Sequence, residues 1–202
     1  MINAIISITV FMIVIVVHEL AHGYVAYRLG DPTARDAGRL TLNPFAHADP
    51  IGTVILPALL IITRSPVIFG WAKPVPVNPY NFADPRKGML LTSLAGPGAN
   101  FGLAILFAIL FKTGLFPAYS VPWTFLLYGV LISLILGIFN MIPIPPLDGA
   151  NIVSAILPQD LARRFMRLQR YGFIILIGLL YLGLFDKVII PFVAFLMRML
   201  IG

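Results

Sequence analysis
His18-Glu19-Leu20-Ala21-His22 lies inside a long apolar run and holds two of the three histidines and the only glutamate among 202 residues. H-E-x-x-H on a helix is a zinc hydrolase pattern, and the spacing gives the reason. At 3.6 residues per turn, His18 and His22 stand one turn apart on one face, so both imidazoles can reach a single tetrahedral ion. Glu19 sits beside that face, placed to take a proton from water on the metal without binding the metal itself. Chance would produce the pattern in roughly one chain of this composition in several thousand. Burial adds to this, because an ionisable side chain inside a membrane helix costs about 2.5–3.5 kcal/mol on insertion scales. Three such residues within a turn and a half need a partner, and a bound cation supplies one. The plainer alternative is a pair of histidines that only bonds neighbouring helices.

The elements that must position these residues are membrane helices. The chain is 59% hydrophobic and 11% charged, with a mean hydropathy of +0.96, which is too apolar for an ordinary soluble domain. Without cysteine there is no disulfide and no thiolate metal site, so any metal must be held by His, Asp or Glu. The formal charge of +6 comes from basic residues spread over short loops between apolar runs. Membrane topology explains that pattern better than nucleic acid, and no nucleic-acid partner is expected. The expected fold class is an all-α multi-pass membrane protein. It is a bundle of transmembrane helices with a re-entrant segment and a small β-like insert between helix one and the next full span.

Residues 2–29 read as the first span, uncleaved and ended by Gly30-Asp31-Pro32, with residues 88–111 and 122–142 as further spans. Gly98 and Gly102 form a G-x-x-x-G pair, expected to make a close-packing face. Residues 50–64, short and interrupted by Pro50, Gly52 and Pro57, read as re-entrant. That assignment puts Arg28, Arg35, Arg39, Arg64, Lys73, Arg86, Lys87 and the later arginines on one side, which the positive-inside rule makes cytoplasmic. Arg163, Arg164, Arg167 and Arg170, interleaved with apolar residues, suggest an amphipathic surface helix at 158–170. The apolar runs 171–185 and 188–201, parted by Asp186-Lys187, leave a hairpin and one bent helix both open. In Trp71-Ala72-Lys73-Pro74-Val75-Pro76-Val77, Pro74 and Pro76 deprive one edge of N–H donors while Val75 keeps its own. An edge that pairs on one side suits capture of an extended peptide; a proline-rich surface loop is the alternative.

A catalytic zinc usually takes three protein ligands and a water. His47, Asp49, Asp84 and Asp148 are the candidates for the third. Asp148 follows a proline-broken helix end, irregular backbone that membranes tolerate where it lines a cavity. If the third span ends on the cytoplasmic side, Asp148 reaches the depth of His18 and His22, which makes it the expected ligand; the alternative is a helix cap. His47 sits in a loop between Asn43-Pro44 and Asp49-Pro50 and is expected to hydrogen-bond near the site rather than bind metal.

Five ordered blocks then resemble the site-2 protease family of intramembrane zinc metalloproteases in its compact form. They are H-E-L-A-H at 18–22, L-T-L-N-P-x-x-H-x-D-P-x-G at 40–52, G-W-A-K-P-V-P-V-N at 70–78, A-G-P-G-A-N at 95–100 and N-x-x-P-x-x-P-L-D-G at 140–149. The resemblance implies that His18, His22 and Asp148 bind one Zn2+, that Glu19 is the general base, and that Asn140 helps hold the substrate. With Pro74, Val75 and Pro76 as the strand that holds an opened peptide, the expected activity is cleavage of peptide bonds within or near transmembrane segments. The expected partners are transmembrane protein substrates and the lipid bilayer, with a second copy of the chain left open. The expected location is the cell membrane, with the active site opening toward the cytoplasm. Residues 1–202 are expected to form one protease domain. Its catalytic core covers about 1–157, followed by the amphipathic segment 158–170 and the C-terminal apolar helix or hairpin 171–202. No PDZ-like or nucleotide-sensing domain fits in this length. The competing class is a non-proteolytic metal-binding membrane scaffold or transporter, which has no need of Glu19.

Overall fold
A stretch with no proline and no glycine before Gly23 has nothing to interrupt a helix, and α1 runs Ile2–Arg28, about 40 Å at 1.5 Å per residue. The computed structural model describes residues 2–55, 59, 62 and 72–202. Two short helices follow, α2 (Thr33–Asp36) and α3 (Pro44–His47), then a π turn over Pro50–Ile55 and a 3-10 turn over Pro79–Asn81. α4 (Pro85–Lys112) begins where the Asp84 carboxylate accepts from the N–H groups of Arg86 and Lys87, with Pro85 at the first helical position. α5 (Val121–Asn140) begins where the Ser120 hydroxyl accepts from Trp123 N–H. α6 (Asp148–Ile156), α7 (Gln159–Met166), α8 (Gln169–Tyr181) and α9 (Ile190–Ile201) complete the chain, with a π turn over Phe185–Ile189 before α9.

The described residues are all-helical in their regular structure, and α1, α4 and α5 are each long and apolar enough to cross a membrane. Their bounds lie within three residues of the expected spans. α7 is the amphipathic segment: Ala162, Phe165 and Met166 are half-buried while Arg163, Arg164 and Arg167 are exposed. α8 and the helical stretch Phe185–Ile201 are bent by 67° at a short break, as in a broken span or a re-entrant loop.

The three spans pack around Val10, Val14, Ala104, Val130 and Leu134, and Ile189 and Val193 from the tail close the cluster. Lipid tails are as apolar as these side chains, so the packing depends on close van der Waals fit more than on exclusion of water. On α4 the buried positions are 88, 92, 93, 96, 97, 100, 104, 107 and 108, one helical stripe. Gly98 and Gly102 lie off that stripe, and a Cβ at either would meet nothing within 4 Å. The expected G-x-x-x-G packing face is therefore corrected: Gly96 carries the close approach, and Gly98 stands about 200° around the helix from it. Near the same end of the bundle, α8 meets the proline loop before Asp148. A Cβ at Gly172 would lie 1.7 Å from the Pro145 carbonyl oxygen, so only glycine fits.

Residues 56–58, 60, 61, 63 and 64 of the expected re-entrant segment at 50–64, and the start of the β-like insert, lie outside the described residues. Where the insert is described, residues 72–78 carry no strand, and no strand occurs among the described residues. The physical reason is in its donors. Lys73 N–H donates to the His47 carbonyl and Val75 N–H to the Glu19 carboxylate, while Pro74 and Pro76 have no N–H to offer a sheet.

Asp31 ties this segment to the end of α1. Its buried carboxylate accepts from the backbone N–H of Thr33, the Thr33 hydroxyl, Asn78 N–H at 2.7 Å and the Asn81 amide at 2.7 Å. Burial pushes this carboxyl up, but the hydrogen bonds from Thr33, Asn81 and Asn78 outweigh it and hold Asp31 below its ordinary range. A depressed folded-state value means stability that is present above the unfolded value, near 4, and lost as pH falls through the folded one. Asp31→Asn is expected to lower the melting temperature at pH 7, and the gap from wild type should shrink as pH drops below about 4. Thermal melts of the two proteins in detergent across that range check it; a gap independent of pH contradicts it.

Candidate active site
His18 and His22 lie in the second half of α1, and α4 crosses behind them with Thr92, Gly96 and Asn100 at successive four-residue steps. His22 Nδ1 donates to the Thr92 carbonyl at 2.7 Å. The carbonyl can only accept, so this His22 is protonated at Nδ1 and its Nε2 carries the lone pair. His18 Nδ1 meets the Asn100 side-chain amide at 2.9 Å. Between these two contacts Gly96 leaves the space the rings need: a Cβ there would lie 2.2 Å from His22 Nε2 and 2.6 Å from His18 Cε1.

The third member arrives from α6. α5 ends at Asn140, the prolines break the helix, and Asp148 opens α6. The Arg86 guanidinium of α4 donates to the Ala155 carbonyl at 2.9 Å and to that of Leu157, which fixes the far end of α6. Asp148 Oδ2 then stands 3.2 Å from His18 Nε2 and 3.2 Å from His22 Nε2, and the two Nε2 atoms are 3.0 Å apart. Bonds of about 2.0–2.1 Å at tetrahedral angles would place ligand atoms about 3.3 Å apart, so this donor set fits a zinc ion. Asp148 Oδ2 is also buried without a hydrogen-bond partner, the condition a cation relieves. Among the described residues, these three are the group whose ligand atoms converge in this way.

The other candidates for the third ligand are used elsewhere. His47 is buried, with Nε2 on the Thr41 carbonyl at 2.8 Å. Asp49 accepts from Ile51 N–H and Gly52 N–H, and Asp84 caps α4.

Glu19, on the next position of α1, faces the same space. Its Oε2 accepts from Val75 N–H at 2.9 Å, and the Arg39 guanidinium donates to the carbonyl of Lys73 at 2.6 Å, so segment 73–75 is pinned beside the carboxylate. A cavity of about 320 Å³ is lined by His18, Glu19, His22, Asp148, Asn140, Pro74 and Val75, among others. A second, of about 360 Å³, shares His18, Glu19, Pro74 and Asn140 and continues between α1, α5 and α8 along Ile15, Phe139, Phe173, Leu176 and Leu180. Asn140 donates its amide to Leu136 O at 3.0 Å, one turn back on α5. Pro76 lines neither cavity. Two of the three N–H donors of the expected pairing edge, at Lys73 and Val75, are spent on the protein itself. The extended segment reaches the cavity with the side chains of Pro74, Val75 and Val77.

Sequence reasoning did not single out Gly96, Asn100, Arg39 or Asp31. Gly96 and Asn100 stood within the quoted A-G-P-G-A-N block, and their four-residue spacing matches that of His18 and His22. Thr92 contributes a backbone atom, for which side-chain types give no signal.

A family model described as peptidase family M50 matches residues 116–183, a stretch that includes Asn140 and Asp148. The chain is 39% identical over 188 residues to "Putative zinc metalloprotease YwhC" of Bacillus subtilis, covering 86% of this chain and 79% of that protein. The chain belongs to peptidase family M50. This is the site-2 protease family that its sequence blocks resemble, and the expectation of an enzyme is met at that level. "Putative zinc metalloprotease Rip2" of Mycolicibacterium smegmatis is 31% identical over 163 residues, which cover 81% of this chain and 61% of that longer protein. "Putative zinc metalloprotease MJ0611" of Methanocaldococcus jannaschii is 42% identical over 65 residues. No solved structure matches the chain.

Gly96→Ala is expected to push both imidazoles off their shared point and to lower metal content well below that of wild type, while Gly98→Ala, in open space, leaves it unchanged. Metal analysis of the purified proteins checks this; equal loss in both variants contradicts it.

Proposed function
We propose that this chain is a zinc-dependent intramembrane endopeptidase that cuts membrane-protein substrates within or near their transmembrane segments. The observation that carries the proposal is the convergence of His18 Nε2, His22 Nε2 and Asp148 Oδ2, within 3.2 Å of one another, on a cavity that also holds Glu19. That cavity lies inside a bundle of apolar helices. His22 is six residues from the end of α1, about 9 Å of helix rise.

A zinc ion held by the two imidazoles and the carboxylate supplies Lewis acidity, polarising a peptide carbonyl and making water acidic enough to lose a proton near neutral pH. His22, fixed by Thr92, and His18, fixed against Asn100, present their Nε2 lone pairs; Asp148 supplies the negative charge that offsets part of the cation's. Glu19 takes the proton from the attacking water and returns it to the leaving amine. Val75 N–H holds one of its oxygens and leaves the other free for that exchange. A metal-binding scaffold or transporter would have no use for a carboxylate at this place.

A helical substrate has its carbonyls hydrogen-bonded and must unwind before attack. The apolar cavity between α1, α5 and α8 suits a segment arriving from lipid, and Pro74, Val75 and Asn140 line the space where an opened segment would lie. Pro76 is no part of that wall. Charge supports a cytosol-facing site in a multi-pass cell-membrane protein: Arg28 at the end of α1, Arg86 and Lys87 at the start of α4 and the arginines of α7 cluster at the end nearer the histidines.

Glu19→Gln is expected to keep stoichiometric zinc and to lose at least about 100-fold in cleavage of a model transmembrane substrate, whereas His22→Ala loses the zinc. Metal analysis with a cleavage assay in detergent or liposomes measures both; stoichiometric zinc in His22→Ala would sink the ligand assignment. Val75→Pro removes the N–H on Glu19 and also exchanges a buried side chain of the cavity wall, in a segment already proline-rich, and Val75→Ala, which keeps the N–H, controls for the side chain. Val75→Pro is expected to lower kcat by roughly tenfold or more, from loss of one hydrogen bond to a charged group, with zinc content unchanged. An unaltered kcat rejects the orienting role of Val75.

A further inference from the structure
We propose that Asn100 is a positioning residue for His18: its side-chain carbonyl oxygen accepts the Nδ1–H of that imidazole and so keeps the Nε2 lone pair on the point shared with His22 and Asp148. The inference rests on the metal-site reading above and adds to it a residue outside the ligand set.

A neutral imidazole has one donor nitrogen and one acceptor, and a ligand that uses Nε2 must carry its proton on Nδ1. The neighbour of Nδ1 must then be an acceptor. For His22 that acceptor is the Thr92 carbonyl, at 2.7 Å. For His18 the group at Nδ1 is the side-chain amide of Asn100, with Nδ2 placed at 2.9 Å. Asn100 is fully buried in the middle of α4, and its side chain makes no other hydrogen bond; Oδ1 has no partner at all. An amide presents oxygen or nitrogen to the same neighbour by a half-turn about its last bond. With nitrogen toward His18, the ring proton sits on Nε2 and points at His22 Nε2, 3.0 Å away. With Oδ1 toward His18, the proton sits on Nδ1 and Nε2 is free. Only the second arrangement serves a cation; it pairs Oδ1 and leaves Nδ2 without a partner in its place, so the choice rests on the cation's need for the Nε2 lone pair. Gly137 of α5 lies beside Asn100, a Cβ there lying 3.4 Å from Asn100 Cβ. Thr92, Gly96 and Asn100 thus give α4 the sequence acceptor, gap, acceptor along one stripe, matching His22 and His18 one turn apart on α1.

The test measures zinc affinity by competition with a chromophoric chelator, and the Co2+ absorption spectrum, on the full chain in detergent with Asn100→Asp and Asn100→Leu. Asp is an acceptor of nearly the same shape; Leu has the volume and no acceptor. Asn100→Leu is expected to weaken zinc binding by about 10–100-fold and to alter the Co2+ spectrum, the size typical of a lost outer hydrogen bond. Asn100→Asp should stay within a few-fold of wild type with an unaltered spectrum. Wild-type affinity in Asn100→Leu overturns the proposal, and so does an Asn100→Asp as weak as Asn100→Leu, because a carboxylate keeps the acceptor and the shape and loses only the donor. If Asn100→Leu does not purify folded, Asn100→Asp decides alone: retained affinity and spectrum support the proposal, and their loss overturns it. Zinc that binds wild type, is lost in His22→Ala and is unaffected in Asn100→Leu sinks only this inference. A wild type that binds no zinc sinks the metal-site reading with it.

Discussion
The close approach of α1 to α4 is the constraint on which the candidate site depends. Two imidazoles and a carboxylate are held with their ligand atoms about 3 Å apart inside an apolar bundle, where an uncompensated charge or lone pair is costly. The bundle can hold them there because α4 offers no side chain at Gly96 and hydrogen-bonding groups one turn to either side. A helix with a methyl group at that position would have to stand off from α1. Thr92 and Asn100 would then lose their histidines together, since all three contacts come from one stripe.

A second support stands outside the spans. Asp31, just beyond the end of α1, collects the N–H of Asn78 and the amide of Asn81, while Arg39 holds the Lys73 carbonyl. The segment between these anchors carries Pro74 and Val75 into the cavity and sets Val75 N–H on Glu19. The order of the carboxylate that would do the chemistry therefore depends on charged groups in loops that touch no metal ligand. Stability and catalytic geometry share these contacts, so a defect at Asp31 or Arg39 would reach Glu19 through the backbone.

Much of this was legible in the residues. The spans follow from apolar run lengths, the His18/His22 face from a spacing of four, and the nearness of Asp148 from topology combined with the prolines that break α5. What escaped notice did so for physical reasons. The Thr92 contact is made by a backbone oxygen that every residue possesses. Asn100 reads as an ordinary polar residue until its partner across the bundle is known. The G-x-x-x-G pair at Gly98 and Gly102 misled because spacing says that two glycines share a face but not which face meets a neighbour. The extended segment at 72–78 reads correctly as deprived of donors on one edge; on the other, the donors at Lys73 and Val75 are taken by His47 and Glu19, which no local pattern could show.

The tail after residue 155 showed no chemistry of its own, yet α8 presses its Gly172 backbone against the Pro145 carbonyl, three residues before Asp148. The loop that delivers the carboxylate is thereby splinted from outside by a helix that belongs to the last quarter of the chain. The ligand set thus leans on both ends of the sequence: the histidines on the contact of α1 with α4, and the carboxylate on a loop braced by α8 and a helix held by Arg86.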